Sequence, residues 1–342
     1  MKTAANNRTV KALGEAGIIR LIQGKVSQEL PSHVKMGIGD DCAVIEISGE
    51  RVVLVTTDTL IEGIHFTAQT LSAEALGWKA LAVNISDIAA MGGTPRTAFL
   101  SIGVQPEMEI SFIESFMAGF KVLAEKTGII LAGGDTVESP SCAAITVTLL
   151  GDCLPEHVVY RSGARVGDDV WVTGPLGSAA GGLFLLQSKE FAARDGYEAL
   201  IRAHQKPMPR LEAGKVLAES GLARAMIDIS DGIAKDLGHI CEQSGVGAVI
   251  EEASIPMSRD LLKLAAEVEK EALHWALHGG EDYELLFTSS PADKEKVESL
   301  TANGSGVPAV KVGTIVRGYG ILLAKQGTRK ALQSGGYVHF GK

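Results

Sequence analysis

The chain alternates short apolar runs with stretches of helical spacing, and several runs end on glycine and an acid. Val52-Val53-Leu54-Val55 is continuous and apolar, the pattern of a buried strand. It ends in Thr56-Thr57-Asp58, with Gly63 and His65 following in a short loop. Residues 43–47, 98–104, 129–132, 143–150, 169–172, 284–288, 310–316 and 320–324 also read as strands, with another ending at Asp228. A 3.6-residue period predicts a helix over 10–24, with Leu13, Ile18, Leu21 and Ile22 inward. A second starts at Ser72 as N-cap and stops at Gly92-Gly93, ahead of Pro95. A third starts at Ser111 and ends at Gly128, with Phe112, Phe116, Phe120 and Leu123 as its core stripe. Helices are further predicted over 210–220, from Gly232 onward and over 291–303. No close repeat links the halves, but both use strand, glycine-rich turn and acid, and Pro155 divides 1–154 from 155–342.

Composition narrows the class. A chain of 342 residues, 46% hydrophobic and 21% charged, has room for two packed domains. A net charge of −9 speaks against a nucleic-acid partner. The four cysteines form no CxxC pair, so reduced thiols are expected rather than a disulfide framework or zinc site. The N-terminal MKTAANNRTV lacks the apolar core of a signal peptide, and no run reaches membrane-span length. A cytoplasmic protein with no membrane partner is expected.

The candidate chemistry lies in the acids. Hydroxyls and carboxylates at strand ends suit a hard cation such as Mg²⁺. A single Asp in such a place also serves as a turn residue or helix cap, but the arrangement recurs at Asp40-Asp41, Asp58, Asp135 and Asp228. Asn84 and Asp87 are three apart on one helix face among Leu81, Val83, Ile85 and Ile88. A carboxylate in that setting needs a partner. Asp231 either joins the acids or caps the next helix. Gly133-Gly134-Asp135 and the glycines at 174, 177, 181 and 182 read as phosphate cradles or as close-packing positions. Arg161 is either a phosphate clamp or a surface ion pair, and His239 reads as a packed histidine. The Gly17 to Lys25 segment fails the P-loop spacing, and Gly37-x-Gly39 carries only half of a dinucleotide fingerprint.

GIGDDCAV (37–44), TTDTLIEGIHF (56–66), NISDIAAMGGTPR (84–96), GGDT (133–136), RSGARVGDDVWVTG (161–174), DISDG (228–232) and GGEDYELLF (279–287) together resemble the thiamine-monophosphate kinases of the aminoimidazole-ribonucleotide synthetase-like superfamily. The resemblance spans about 37 to 340. It implies an α/β (α+β) protein of two domains. Residues 1–154 would form an ATP- and Mg²⁺-binding mixed sheet with helices that pairs in a homodimer. Residues 155–342 would form an α/β domain completing the nucleotide and substrate site. It implies ATP-dependent phosphorylation of thiamine phosphate with several Mg²⁺ ions. By position, Asp40, Thr56, Thr57, Asp58, Asp87, Asp135, Asp228 and Asp231 would hold metal, with Asp58, Asp87 and Asp135 at the catalytic centre. Gly134, Asp135, Arg161 and Ser230 would contact ATP, and His65, Glu281 and Tyr337 the substrate. Gly93 stands where the family commonly has Ala.

The acceptor is an ionised phosphate, so no strong general base is needed, and direct in-line transfer is expected. The rivals are a sister enzyme that activates another acceptor with ATP, and a non-catalytic nucleotide- or thiamine-phosphate-binding protein. GGEDYELLF and IEGIHF argue against the first. The full set of acids from Asp40 to Asp231 argues against the second.

Overall fold

The structure, a computed structural model, describes residues 17–23, 31–188, 196–333 and 335–336. The first half runs α1 (17–23), β1 (Val34–Met36), β2 (Ala43–Ser48), β3 (Arg51–Ile61), α2 (Ala73–Ala90), β4 (Thr94–Val104), α3 (Ile110–Thr127), β5 (Ile130–Glu138) and β6 (Ala144–Cys153). Its six strands are ordered β1-β2-β3-β6-β4-β5, all antiparallel except β4 with β5. The second half runs β7 (Asp169–Thr173), α4 (Ser178–Gln187), α5 (Glu198–Gln205), α6 (Leu211–Glu219), β8 (Ala225–Asp228), α7 (Ile233–Ser244), β9 (Gly247–Glu251), α8 (Arg259–Glu267), α9 (Ala272–His278), β10 (Leu285–Ser289), α10 (Lys294–Leu300), β11 (Ala309–Val316), β12 (Gly320–Lys325) and β13 (Thr328–Leu332). Its seven-stranded sheet is ordered β13-β12-β9-β11-β7-β10-β8.

Helix α2 is the shared core. It is apolar on nearly every side, and all but three of its residues are buried. It packs on β3 and β6, on α3, and on α6 and β8 of the second half. Ser72 caps it as predicted, accepting from the Ala75 amide at 3.2 Å. The α2–α3 crossing requires glycine. A Cβ on Gly77 would lie 1.9 Å from the Phe116 carbonyl oxygen, and one on Gly119 would lie 1.8 Å from that of Glu74.

Three predicted boundaries change. β3 does not stop at Thr56-Thr57-Asp58 but pairs with β6 from Val52↔Cys153 through Ile61↔Ala144. The threonines suit a pleated strand as well as an apolar run does, so the acid sits mid-strand. β5 likewise continues through Gly133-Gly134-Asp135. A Cβ on Gly134 would lie 1.7 Å from the Leu100 carbonyl oxygen, so close approach of β4 accounts for this glycine. Ser111 is not the cap of α3. Glu109 occupies that position, and the Ser111 hydroxyl donates to its carboxylate at 3.2 Å. The predicted 10–24 helix is helical over 17–23, and its remainder lies outside the described residues. The hairpin strand β13 was not anticipated. The four cysteines are free.

Candidate active site

Strand alternation places the acids. Along β3, Val52, Leu54, Thr56, Asp58 and Leu60 face α2, while Thr57 and Thr59 face outward. Thr56 Oγ1 donates to Asp87 Oδ2 from α2 in a short hydrogen bond. At the end of β8, Asp228 Oδ2 accepts from the Ser86 hydroxyl at 2.6 Å. The loop before β2 turns Asp41 inward. Carboxylate oxygens of Asp41, Asp87 and Asp228 all lie within 4.8 Å of one another. Both halves of the chain thus contribute to one group of acids.

This concentration of negative charge shows in the protonation equilibria. Burial, and then the Asp41 charge, pushes the Asp228 carboxyl up to about 8. Burial, followed by Asp58 and Asp228, holds Asp87 well above the usual carboxylate range. Burial likewise raises Asp58, beside Asp87, to about 6. Asp40 also rises to about 6, by burial and then by Asp41. The compensating cation is Arg161, whose Nη2 lies 2.5 Å from Asp41 Oδ1, with its Nε 3.8 Å from Asp40 Oδ1. Its backbone amide also donates to Asp40 Oδ2 at 3.1 Å.

Beyond the acids opens a cleft of 690 Å³. Its lining includes the acids Asp58, Asp87, Asp228 and Asp231 with Ser230, the apolar side chains Leu60, Ile61, Phe66, Val83 and Leu183, and His65, His204, Glu281 and Tyr283. The His65 Nδ1 accepts from the Ile61 amide at 2.9 Å, which closes the loop after β3.

The segment 281–284 is fixed residue by residue. The Glu281 and Tyr283 amides donate to the Ser230 and Ile229 carbonyls at 2.7 and 2.9 Å. These bonds hold both residues at positive φ, 68° and 50°, a conformation that costs a non-glycine residue about 1–2 kcal/mol. Glu281 Oε1 lies 2.6 Å from Lys79 Nζ on α2, and its Oε2 lies 3.0 Å from His204 Nδ1 on α5. Burial raises the Glu281 carboxyl, but Lys79 and then His204 outweigh it and bring it to about 2. Asp282 accepts from the Gly177 and Ala179 amides at 2.6 and 3.2 Å. The anion at the α4 N-terminus is therefore this carboxylate, not a phosphate. The glycines there answer to packing: a Cβ on Gly182 would lie 2.1 Å from the Leu200 carbonyl oxygen. Glu284 takes both branches of Arg210 at 2.5 Å and the Thr173 hydroxyl at 2.7 Å.

The structure brings Thr56, Asp58, Asp87 and Asp228 together, with Ser230, Asp231, His65 and Glu281 on the cleft walls. Asp41, rather than Asp40, completes the three-carboxylate group, while Asp40 is held by the Arg161 backbone amide and lies beside its guanidinium. Asp231 does not cap α7. It pairs with Lys235 at 2.5 Å, while Asp236 accepts from the Asp231 and Gly232 amides at 3.2 and 3.0 Å. Asn84 does not join the acids either: its amide donates to the Ala80 carbonyl of its own helix at 3.0 Å. Within one chain, Thr57, Gly134 and Asp135 lie elsewhere. Thr57 bonds Thr148 at 3.0 Å on the outer face of the sheet. Asp135 is in register with Ser101, Thr146 and Thr59 on that same face. Three inter-strand spacings separate β5 from β3, about 14 Å. Tyr337 lies outside the described residues. Lys79, Ser86 and His204 escaped the sequence reading, although a lysine inside the apolar stretch WKALAV was a signal.

A family model described as AIR synthase related protein, N-terminal domain, matches residues 39–153, and one described as AIR synthase related protein, C-terminal domain, matches 165–323. The chain is 38% identical to the thiamine-monophosphate kinase of Escherichia coli (strain K12), over 90% of this chain and 92% of that protein. It is 35% identical to the thiamine-monophosphate kinase of Aquifex aeolicus (strain VF5), over 97% and 99%. The solved structure of AaThiL complexed with AMPPCP and TMP superposes with a TM-score of 0.85 at 34% identity, covering 98% of this chain and all of that one.

Proposed function

The chain belongs to the thiamine-monophosphate kinase family of AIR synthase related proteins, and we infer from this that it phosphorylates thiamine phosphate to thiamine diphosphate with ATP as donor. It is an ATP-dependent kinase. The observation that carries the reading onto this chain is a single cleft that joins the carboxylates of Asp58, Asp87 and Asp228 to apolar walls at Leu60, Phe66, Val83 and Leu183. A ring-bearing phosphate ester matches that polarity.

The donor set fits Mg²⁺. Asp41, Asp87 and Asp228 offer oxygens within 4.8 Å of one another, and Thr56 and Ser86 hydroxyls orient two of the three carboxylates. All-oxygen ligation is what this ion takes, and Asp58 stands at the same group. Bound there, Mg²⁺ supplies positive charge against the clustered phosphates of donor and acceptor. Asp40, Asp231 and Ser230 add further oxygens, and Arg161 is the side chain placed to exchange its carboxylate partners for phosphate.

The chain holds the two phosphates in line; an oxygen of thiamine phosphate attacks the terminal phosphorus of ATP, and ADP leaves. The acceptor is already anionic, so the protein need not remove a proton. A phosphoenzyme is disfavoured by the surroundings of the nearest thiol. Cys42 is fully enclosed, and burial followed by the Asp87 charge pushes it far from its thiolate form. The apolar walls orient the ring and exclude water, which limits loss of phosphate to hydrolysis.

We assign the outer face of the six-stranded sheet to a second copy of the chain. Phe99, Leu131 and Val137 are exposed on that sheet, beside the Thr57–Thr148 and Thr59–Thr146 ladder. Such an assembly would place Thr57, expected to hold metal, and Gly134 and Asp135, expected to contact ATP, at an interface. Residues 1–154 then carry dimerisation and most of the acids, and 155–342 complete the site. A cytoplasmic location accords with a phosphorylated substrate and free thiols.

The test is an assay with ATP, Mg²⁺ and thiamine phosphate, read as fluorescent thiochromes after separation, beside Asp58→Asn. Thiamine diphosphate from the wild type, nearly absent from the variant, is the expected result. ATP consumption without that product would point to another acceptor. Nucleotide binding without turnover would mean a binding protein.

A further inference from the structure

His204 and the half-buried Glu281 line the cleft, and the buried Lys79 stands behind them against Glu281. Lys79 is 1% exposed in the middle of an apolar helix. Its ammonium faces Glu281 Oε1 at 2.6 Å, and the other carboxylate oxygen faces His204 Nδ1 at 3.0 Å. An ionised carboxylate only accepts hydrogen bonds, so Nδ1 carries the proton. Burial, and then the Lys79 charge, lowers the His204 imidazole, so the ring is neutral. Its Nε2 is left as a bare acceptor. No hydrogen bond reaches that atom among the described residues, whereas Nδ1 and Lys79 Nζ, though also short of hydrogen-bond geometry, lie at ion-pair distance from the Glu281 oxygens, and the ring lines the cleft. A buried polar atom left unpaired in a native site asks for a ligand. Lys79 and Asp87 are eight residues apart on α2, about 12 Å at the helical rise. The trio and the acids are therefore separated by roughly the length of a two-ring phosphate ester.

We propose that His204 Nε2 accepts a hydrogen bond from an N–H donor on the heteroaromatic ring of the acceptor, and that Lys79 and Glu281 are positioning residues that fix its tautomer. The inference rests on thiamine phosphate as acceptor, whose pyrimidine carries an exocyclic amine. Glu281 meets Lys79 and His204 with its two oxygens and in this role fixes His204. The trio thereby selects amine-bearing rings over rings that present a carbonyl at the same place.

The experiment compares kcat/KM for thiamine phosphate and for oxythiamine phosphate, in which an oxo group replaces the amine, in the wild type and in His204→Phe. The wild type should prefer the amine on the order of tenfold or more. In the variant that preference should collapse, mainly through a raised KM for thiamine phosphate. A preference retained in an active His204→Phe would overturn the proposal. Wild-type failure on thiamine phosphate itself would strike the functional reading instead. Lys79→Met adds a readout that loss of packing would not move. Without the ammonium, His204 becomes protonatable, so KM for thiamine phosphate should climb more steeply as pH falls toward 6 than in the wild type, whose profile carries only the acceptor phosphate and the site carboxyls; parallel profiles count against the proposal. Should either variant fail to fold, ¹⁵N-histidine NMR of the wild type decides. An Nδ1–H tautomer whose Nε2 resonance moves on adding thiamine phosphate supports it, and an Nε2–H tautomer refutes it.

Discussion

Replacing Asp228 with Asn should make the metal-free protein more stable while removing most of its stabilisation by Mg²⁺. Two unit charges 4.8 Å apart at an effective dielectric of about 20 repel by about 3.5 kcal/mol. Independently, a carboxyl raised from 3.8 to about 8 opposes folding at pH 7.5 by at most about 5 kcal/mol. Asparagine keeps the shape and an acceptor for the Ser86 hydroxyl, so little is lost in exchange. A net gain of about 2 kcal/mol, several degrees in Tm, is a conservative expectation. The sign with pH follows from the raised value. This term is absent below the unfolded-state value near 4, and its penalty grows as pH climbs toward about 8. Metal-free wild type should therefore lose stability across that window more steeply than Asp228→Asn. Saturating Mg²⁺ at about 100 times its Kd should return about 2.7 kcal/mol to the wild type and much less to the variant. Differential scanning calorimetry in EDTA and in Mg²⁺, at pH 5 and pH 7.5, reads all four quantities. A variant less stable than the wild type in EDTA at pH 7.5, or one with an undiminished Mg²⁺ response, would refute the electrostatic reasoning.

Arg210→Met should destabilise the fold by about 3–5 kcal/mol in urea denaturation, because it strands the nearly buried Glu284 carboxylate. The double variant with Glu284→Gln should recover part of that loss. Phe99→Asp, on the exposed face of the six-stranded sheet, should shift sedimentation from dimer to monomer and depress activity; an unchanged sedimentation coefficient would remove that face as the interface.

The periodicity of the chain already carried α2, from the Ser72 cap to its stop before Pro95, and most strands of both sheets. It also singled out Thr56, Asp58, Asp87 and Asp228, because a carboxylate inside an apolar pattern is visible without coordinates. Boundaries were harder to read. Thr56-Thr57-Asp58 and Gly133-Gly134-Asp135 looked like loop chemistry, but strand pairing carried both segments through. Only cross-strand hydrogen bonds, which no local window contains, decide that.

Local pattern and residue type were enough for the two-part α/β architecture, the family and the oxygen-rich character of the site. Tertiary structure decided which atoms meet. It chose Asp41 over Asp40, set Thr57 and Asp135 on the far face, and gave the α4 N-terminus to Asp282. It joined Lys79, His204 and Glu281, of which the first and last are about two hundred residues apart in the chain. The physical reason is the same throughout. A one-residue change in direction or register turns a side chain to the opposite face, and the partner that makes a buried charge tolerable is supplied by whichever element packs against it.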